Sequence, residues 1–321
     1  MSSKAIAIAV VAACAVIAAL AGVFLINREG GEQVWWVFSD PHVFPGGEER
    51  YLRTAVEDVN KLGIADYAIC LGDLANNSDR CFEPIAAIME NLKVKRWYHV
   101  LGNHDFDHDT GEPILPLSYR GIDVAGIRFV MISSEKGWEN GANYAGGYMG
   151  EEQFDWLWGE LITYRNRPVF LFSHQPYYQW NVWPKLETAL KDGAMHVDVW
   201  FHGHLHQWTI TENTPAGFMS FGVNSLDWNN QYESIFLFIR PRGGEVEVEI
   251  KARNHLQGVW LDEPYYKLTF KSSRPQTSGM GLSSAATTSS FVVAISSFFG
   301  ACGRLQNIYM MVNFPFLGGK L

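Results

Sequence analysis

Apolar residues in this chain fall into short runs, none with more than one polar residue inside it, each stopped by a small polar cluster. Val34–Phe38, Tyr67–Leu71, Trp97–Leu101, Ile127–Ile132, Val169–Phe172 and Val197–Phe201 have the length of buried β-strands. Between several of them the period changes. From Glu48 to Leu62 the residues Leu52, Val56, Val59 and Leu62 recur at steps of three and four, which predicts an amphipathic helix ending at Gly63. Further helices are expected over Glu83–Leu92, with Pro84 at its start, over Glu151–Tyr164 and around Leu186–Leu190. A strand, polar loop and helix in repetition predict an α/β fold, in which ligands bind outside the carboxyl ends of strands. Phe218–Val223, Ser234–Ile239 and Val246–Ile250 read as strands with no helix between them, so this half of the sheet system is expected to be antiparallel. Residues 106–126 read as loop. Gly137–Gly150, with five glycines, Trp138, Tyr144 and Tyr148, reads either as an excursion over a site or as a surface loop.

Two segments fall outside this rhythm. Ala5–Ile26 is an uncharged, proline-free run of 22 residues. At about 1.5 Å per residue it can cross a hydrocarbon core of about 30 Å, and it exceeds the apolar stretch of about 7–15 residues usual in a cleaved signal. Residues 1–30 are therefore expected to be an N-terminal transmembrane anchor or signal segment, with the catalytic domain exported. Lys4 and Arg28 flank the run and set no clear orientation. From Ser272 the chain becomes Ser, Thr, Gly and Ala-rich, so 272–321 reads as a linker followed by an apolar tail, with Phe291–Phe299 too short to span a membrane. The central domain is placed at 31–271.

Composition narrows the function classes. The net charge of −9 argues against broad electrostatic binding to nucleic acid. No acid follows Glu263, and residues 264–321 carry five Lys or Arg, so the acidic excess lies upstream. Four cysteines, at 14, 70, 81 and 302, form neither a disulfide framework nor a Cys-x-x-Cys zinc site. A bridge between Cys70 and Cys81 is conceivable but not deducible.

The chemistry collects where the apolar runs stop. Val34–Phe38 ends in Asp40 and His42, Tyr67–Leu71 in Asp73, Trp97–Leu101 in Asn103, His104 and Asp105, Val169–Phe172 in His174, and Val197–Phe201 in His202, His204 and His206. Each cluster alone has a structural explanation as a turn, a cap or a core histidine. Together they place metal-binding imidazole, carboxylate and amide groups at five strand ends.

Asp-x-His, Gly-Asp, Gly-Asn-His-Asp, a single His and Gly-His-x-His, in this order over roughly residues 34–255, strongly resemble the calcineurin-like metallophosphoesterase superfamily. The resemblance implies a four-layer αββα sandwich of two mixed sheets flanked by helices, with two divalent metal ions (Mn, Fe, Zn, Co or Ni) at the sheet edge. It also implies that Asp40, His42, Asp73 and His206 hold one metal and Asp73, Asn103, His174 and His204 the other, Asp73 bridging. A shared carboxylate suits two cations about 3.5–4 Å apart, and a bridging hydroxide would attack phosphorus in line. His104 would serve as general acid or transition-state stabiliser. Asp105 would orient it or merely cap a turn.

Departures from the pattern separate subfamilies. Asn76, not Tyr, stands third after Asp73, which fits poorly with the tyrosinate-ligated purple acid phosphatases. Asp105 stands where the protein Ser/Thr phosphatases carry Glu. The resemblance is nearest to small phosphoesterases, including cyclic-nucleotide phosphodiesterases. The expected substrate is a small phosphorylated molecule, a nucleotide among the candidates. Phosphodiesterase and phosphatase both remain open, as do a nuclease of the same superfamily and a non-catalytic binding scaffold. Asn76 could position substrate or shape a turn, and His202 reads as a second-layer group or a buried imidazole. Arg80 and Lys136 are the cations nearest the motifs, and Tyr177, Tyr178, Trp180 and Trp208 stack on substrate or fill the core.

Overall fold

A computed structural model describes residues 31–139, 142–227 and 231–271. The expected anchor and tail segments lie outside the described residues. Among those described, no helix is long and apolar enough to cross a membrane.

The first half of the domain alternates β1 (Gln33–Phe38), α1 (Glu49–Leu62), β2 (Tyr67–Cys70), α2 (Phe82–Met89) and β3 (Arg96–His99). The chain continues through β4 (Arg120–Val124), β5 (Ile127–Met131), the small hairpin β6 (Trp138–Glu139) and β7 (Ala142–Asn143), α3 (Glu151–Thr163) and β8 (Val169–Phe172). It closes with α4 (Trp183–Lys191), β9 (Val199–His202), β10 (Thr209–Thr211), β11 (Met219–Gly222), β12 (Glu233–Arg242), β13 (Glu245–Asn254) and β14 (Val259–Lys271). Helix α1 ends as expected, on Gly63 in the left-handed region at φ 63°, whose N–H donates to Val59 O at 3.0 Å.

Two mixed six-stranded sheets result. One has the order β14-β13-β12-β1-β2-β3 and the other β10-β11-β9-β8-β5-β4. In the first, β1, β2 and β3 are parallel, and β12, β13 and β14 form an antiparallel meander joined to β1. In the second, β5, β8 and β9 are parallel, with antiparallel strands at both edges.

Strand alternation explains the layers. Trp35 and Val37 on β1 meet Phe129, Phe170 and Phe201 of the other sheet in a core between the sheets. Trp36 and Phe38 point the opposite way, into a core shared with Leu52 and Val56 of α1 and Ile85 of α2. On the far side, Val130, Leu171 and Trp200 pack with Leu157 and Leu161 of α3 and Leu186 of α4. Strands covered on both faces read as continuous apolar runs, which is why these were the visible ones. The expected αββα arrangement of two mixed sheets is the observed fold.

The differences lie mainly at the edges. Residues 106–126 are not all loop, since Arg120–Val124 forms edge strand β4 against β5. Strands β10 and β14 were not expected either. β11 pairs parallel with β9, so the later strands are not uniformly antiparallel. Strand β14 contains Pro264, and the register of β13 on β14 shifts between Lys251 and Arg253. An edge strand tolerates proline because its outward N–H needs no partner. Cys70 and Cys81 are both free and buried, so no bridge joins them.

A buried polar chain ties α1 to the first sheet. Asp58 accepts from Arg253 Nε at 2.5 Å and Nη2 at 2.8 Å, and His255 Nδ1 lies 2.9 Å from Asp58 Oδ2. His255 Nε2 meets Ser234 Oγ at 2.7 Å, and Trp36 Nε1 donates to the same hydroxyl at 2.8 Å. Burial pushes the Asp58 carboxyl up, but Arg253 and His255 outweigh it and hold Asp58 below the usual carboxylate range.

Candidate metal centre

The ends of β1, β2, β3, β8 and β9 are stitched together by their backbones. Asp40 N–H donates to Gly72 O at 3.1 Å and His42 N–H to Asp73 O at 3.0 Å, which fastens the first loop to the second. Gly203 N–H donates to His174 O at 2.9 Å. The two sheets are linked across the edge by His204 N–H, which donates to Asp40 Oδ2 at 3.1 Å.

Close approach fixes two of the glycines. A Cβ on Gly102 would sit 2.2 Å from Asp73 Oδ1 and 2.6 Å from the His174 ring, and one on Gly203 would sit 1.8 Å from Ser39 Oγ and 2.6 Å from Asp40 Oδ2. The neighbouring non-glycine residues carry backbone strain. Asp40, His42, Asp73, His204 and His206 all lie at positive φ, at 52°, 42°, 50°, 68° and 52°. Each such residue costs roughly 1–3 kcal/mol and persists only where surrounding contacts dictate it.

The side chains converge in two groups sharing one carboxylate. Asp40, His42, Asp73 and His206 each offer one donor atom, all within 4.8 Å of one another, and Asp73, His174 and His204 do the same. His206 Nε2 is 3.1 Å from Asp40 Oδ1 and 3.3 Å from His42 Nε2, which lies 3.7 Å from Asp73 Oδ2. In the other group, His174 Nε2 is 2.9 Å from Asp73 Oδ2 and 3.2 Å from His204 Nδ1. His174 Nδ1 lies 2.8 Å from Leu71 O, a contact that makes Nδ1 a donor and leaves Nε2 directed at Asp73, where a bound cation would replace its proton.

This donor set fits metal ions. Asp40 Oδ1 is fully buried with no hydrogen bond of good geometry, although His206, His42 and His174 nitrogens lie 3.1, 3.8 and 3.9 Å away. A buried carboxylate oxygen ringed by imidazole nitrogens at such distances marks a position a cation satisfies. The electrostatics agree. Burial pushes the Asp40 carboxyl up, but His174, His206 and His42 prevail and hold it well below the usual range. Burial lowers His42 and His174, yet the carboxylates of Asp40 and Asp73 raise both to about 9. Burial, with His174 next to it, pushes His204 down to about 4.

The remaining expected residues take the following places. Asn103 is buried at the start of a 3-10 turn, Asn103–Asp105, that follows β3. His104 is half-buried, with its ring edge-on to that of His42 at 4.8 Å between centroids, and its N–H donates to Asp73 Oδ1 at 2.7 Å. Asp105 accepts from Ala75 N at 2.8 Å and Gly102 N at 2.9 Å, one amide from each of the loops after β2 and β3. Burial and the Asp73 charge raise Asp105 to about 7. His202 belongs to neither group. It is buried, its Nδ1 lies 3.0 Å from Gly203 O, and burial lowers it to about 4. Trp180 is core, donating to Gln175 O, and Trp208 bonds Glu233, whereas Tyr178 is 53% exposed. Arg80 lies over the Phe44 ring and Lys136 over that of Tyr148.

Sequence reasoning missed Asp227. Its N–H donates to Asp40 O at 3.3 Å, which sets it beside the first ligand loop. No motif surrounds it, and the one signal was its place shortly after a strand, shared by every candidate ligand.

Residues 35–208 match the family model for calcineurin-like phosphoesterases. No curated protein sequence matches the chain. A dimetal phosphatase from Danio rerio shares the fold at TM-score 0.54 and 17% identity, over 75% of this chain and 99% of that one. A purple acid phosphatase from yellow lupin seeds superposes at TM-score 0.52 and 13% identity, over 78% of this chain and 58% of that one.

Proposed function

Because the chain belongs to the calcineurin-like phosphoesterase family, we propose that it hydrolyses a small phosphoester at a two-metal centre. The observation that carries this reading is the pair of donor groups sharing Asp73. In it, Asp40, His42, Asp73 and His206 hold one cation, and Asp73, Asn103, His174 and His204 the other. Bound divalent cations at such a site lower the pKa of water and neutralise phosphoryl oxygens, with Mn, Fe, Co, Ni and Zn all suited to mixed imidazole and carboxylate donors.

The protein's own groups supply the rest. His104 stands against His42 with its backbone tied to Asp73, so its ring reaches the same space as the donor atoms. It donates a proton, or a hydrogen bond, to the leaving oxygen of the substrate. Asp105 keeps the loops after β2 and β3 at fixed separation by bonding one N–H from each.

A diester is the favoured substrate class, with a nucleotide among the candidates. Arg80 and Lys136 are both stacked on aromatic rings, and Asp227 adds a carboxylate beside the centre, a balance that suits one negative charge better than two. The uncharged run Ala5–Ile26 supports a membrane-anchored protein, and export of the catalytic domain is the orientation we propose for it.

Assaying the full chain against aryl phosphate mono- and diesters with each metal in turn tests the proposal. Turnover is expected with at least one metal, and the His104→Ala variant should retain its metals and lose roughly 10²–10⁴-fold in rate. A smaller loss is expected on substrates whose leaving group needs no proton. Silence with every metal would favour the non-catalytic scaffold.

A further inference from the structure

The loop after β11 is a sixth strand end at the site. Leu226 N–H donates to Ser39 O at 3.1 Å, Asp227 N–H to Asp40 O at 3.3 Å, and Ser225 Oγ lies 3.4 Å from Asp40 O. These contacts lock residues 225–227 onto the loop that carries Asp40 and His42. The Asp227 carboxylate is itself held. Ser225 Oγ donates to Asp227 Oδ1 at 2.8 Å, and Asp227 N–H donates back to the same hydroxyl at 3.1 Å.

Asp227 is partly buried and stands outside both donor groups. The strand end to which it is bonded supplies two members of the first donor group, Asp40 and His42, and none of the second. The added charge therefore lies on that side. A carboxylate just outside a ligand set makes imidazole ligands more basic, fixes their orientation and attracts the dication they hold.

We propose that Asp227, steadied by Ser225, is a positioning residue for the metal position formed by Asp40, His42, Asp73 and His206. The inference rests on the two-metal reading above and goes beyond it by making the two positions unequal.

Titration of the metal-free full chain with Co²⁺ alone, followed by visible absorption and by metal content after dialysis against a graded chelator, tests it. The Asp227→Asn variant keeps the shape of the side chain and its bond from Ser225 but removes the charge. It should bind one Co²⁺ as wild type does and the other about 10–100-fold more weakly. Asp227→Glu should recover part of that loss, and Ser225→Ala should show a smaller, few-fold weakening at the same position. Wild-type affinity for both ions in Asp227→Asn, or equal weakening of both at an unchanged melting temperature, overturns the proposal. Should Asp227→Asn fail to fold, unchanged affinities in Ser225→Ala overturn it equally. A wild-type chain that takes up fewer than two Co²⁺ refutes the two-metal reading instead.

Discussion

Replacing Gly102 by Ala should damage the site far more than the fold. The backbone at Gly102, at φ −98°, is open to any residue, so the effect is steric alone. The new methyl would stand 2.2 Å from Asp73 Oδ1 and 2.6 Å from His174 Cδ2. Both neighbours would have to retreat by roughly 1 Å to regain ordinary contact. Neither is free to do so. Asp73 Oδ1 accepts the His104 N–H at 2.7 Å, and His174 Nδ1 is held 2.8 Å from Leu71 O. Overpacking of this kind costs about 1–3 kcal/mol of stability. A displacement of about 1 Å in a catalytic constellation costs about 10²-fold in rate, equivalent to about 2.7 kcal/mol of barrier. The variant should therefore remain folded, with a modestly lower melting temperature, while losing metal occupancy and about 10²-fold in turnover. Gly159→Ala is the matched control. It lies on the exposed side of α3 with nothing within 4 Å, and should gain up to about 1 kcal/mol with full activity. Gly102→Ala with two bound metals and turnover within threefold of wild type would refute the packing argument.

Three further outcomes follow from the same contacts. Asp58→Ala should destabilise by about 3–5 kcal/mol in urea unfolding, because it strands the buried Arg253 guanidinium, yet leave metal content unchanged. Since Arg253 and His255 hold Asp58 below the carboxylate range against burial, its stabilising contribution is present above the unfolded pKa of about 3.9 and lost as pH falls below it. A wild-type stability profile between pH 5 and 2 no steeper than that of the Asp58→Asn variant would contradict this. Stripping metal with a chelator should abolish turnover and lower the melting temperature, by the equivalent of about 2.7 kcal/mol for free metal at a hundred times its dissociation constant. No change in either measure would argue against bound metal.

The candidate site was legible because each cluster sits next to a strand with a local signature. Val34–Phe38 and Val169–Phe172 are buried on both faces, so their apolar runs and polar stops are visible in one dimension. Strands β4 and β14 were not, for the opposite reason. Arg120–Val124 contains Gly and Asp, and Val259–Lys271 contains an Asp-Glu-Pro triplet, residues that edge strands tolerate and propensity counts against.

The sequence by itself determined the α/β alternation, the family motifs and the residue types offered at each strand end, since these depend on neighbours within a few positions. Only the tertiary structure decided which groups meet. His202 and His204, two residues apart, part company because β9 ends at His202 and the backbone turns at His204, at φ 68° with Leu205 N–H donating to Gly203 O at 2.8 Å. Asp105 ties two loops together because the Ala75 and Gly102 amides arrive on either side of it. Asp227 entered the site because β11 runs parallel to β9 and delivers the next loop onto Ser39 and Asp40, a juxtaposition across more than 180 residues that no local pattern encodes.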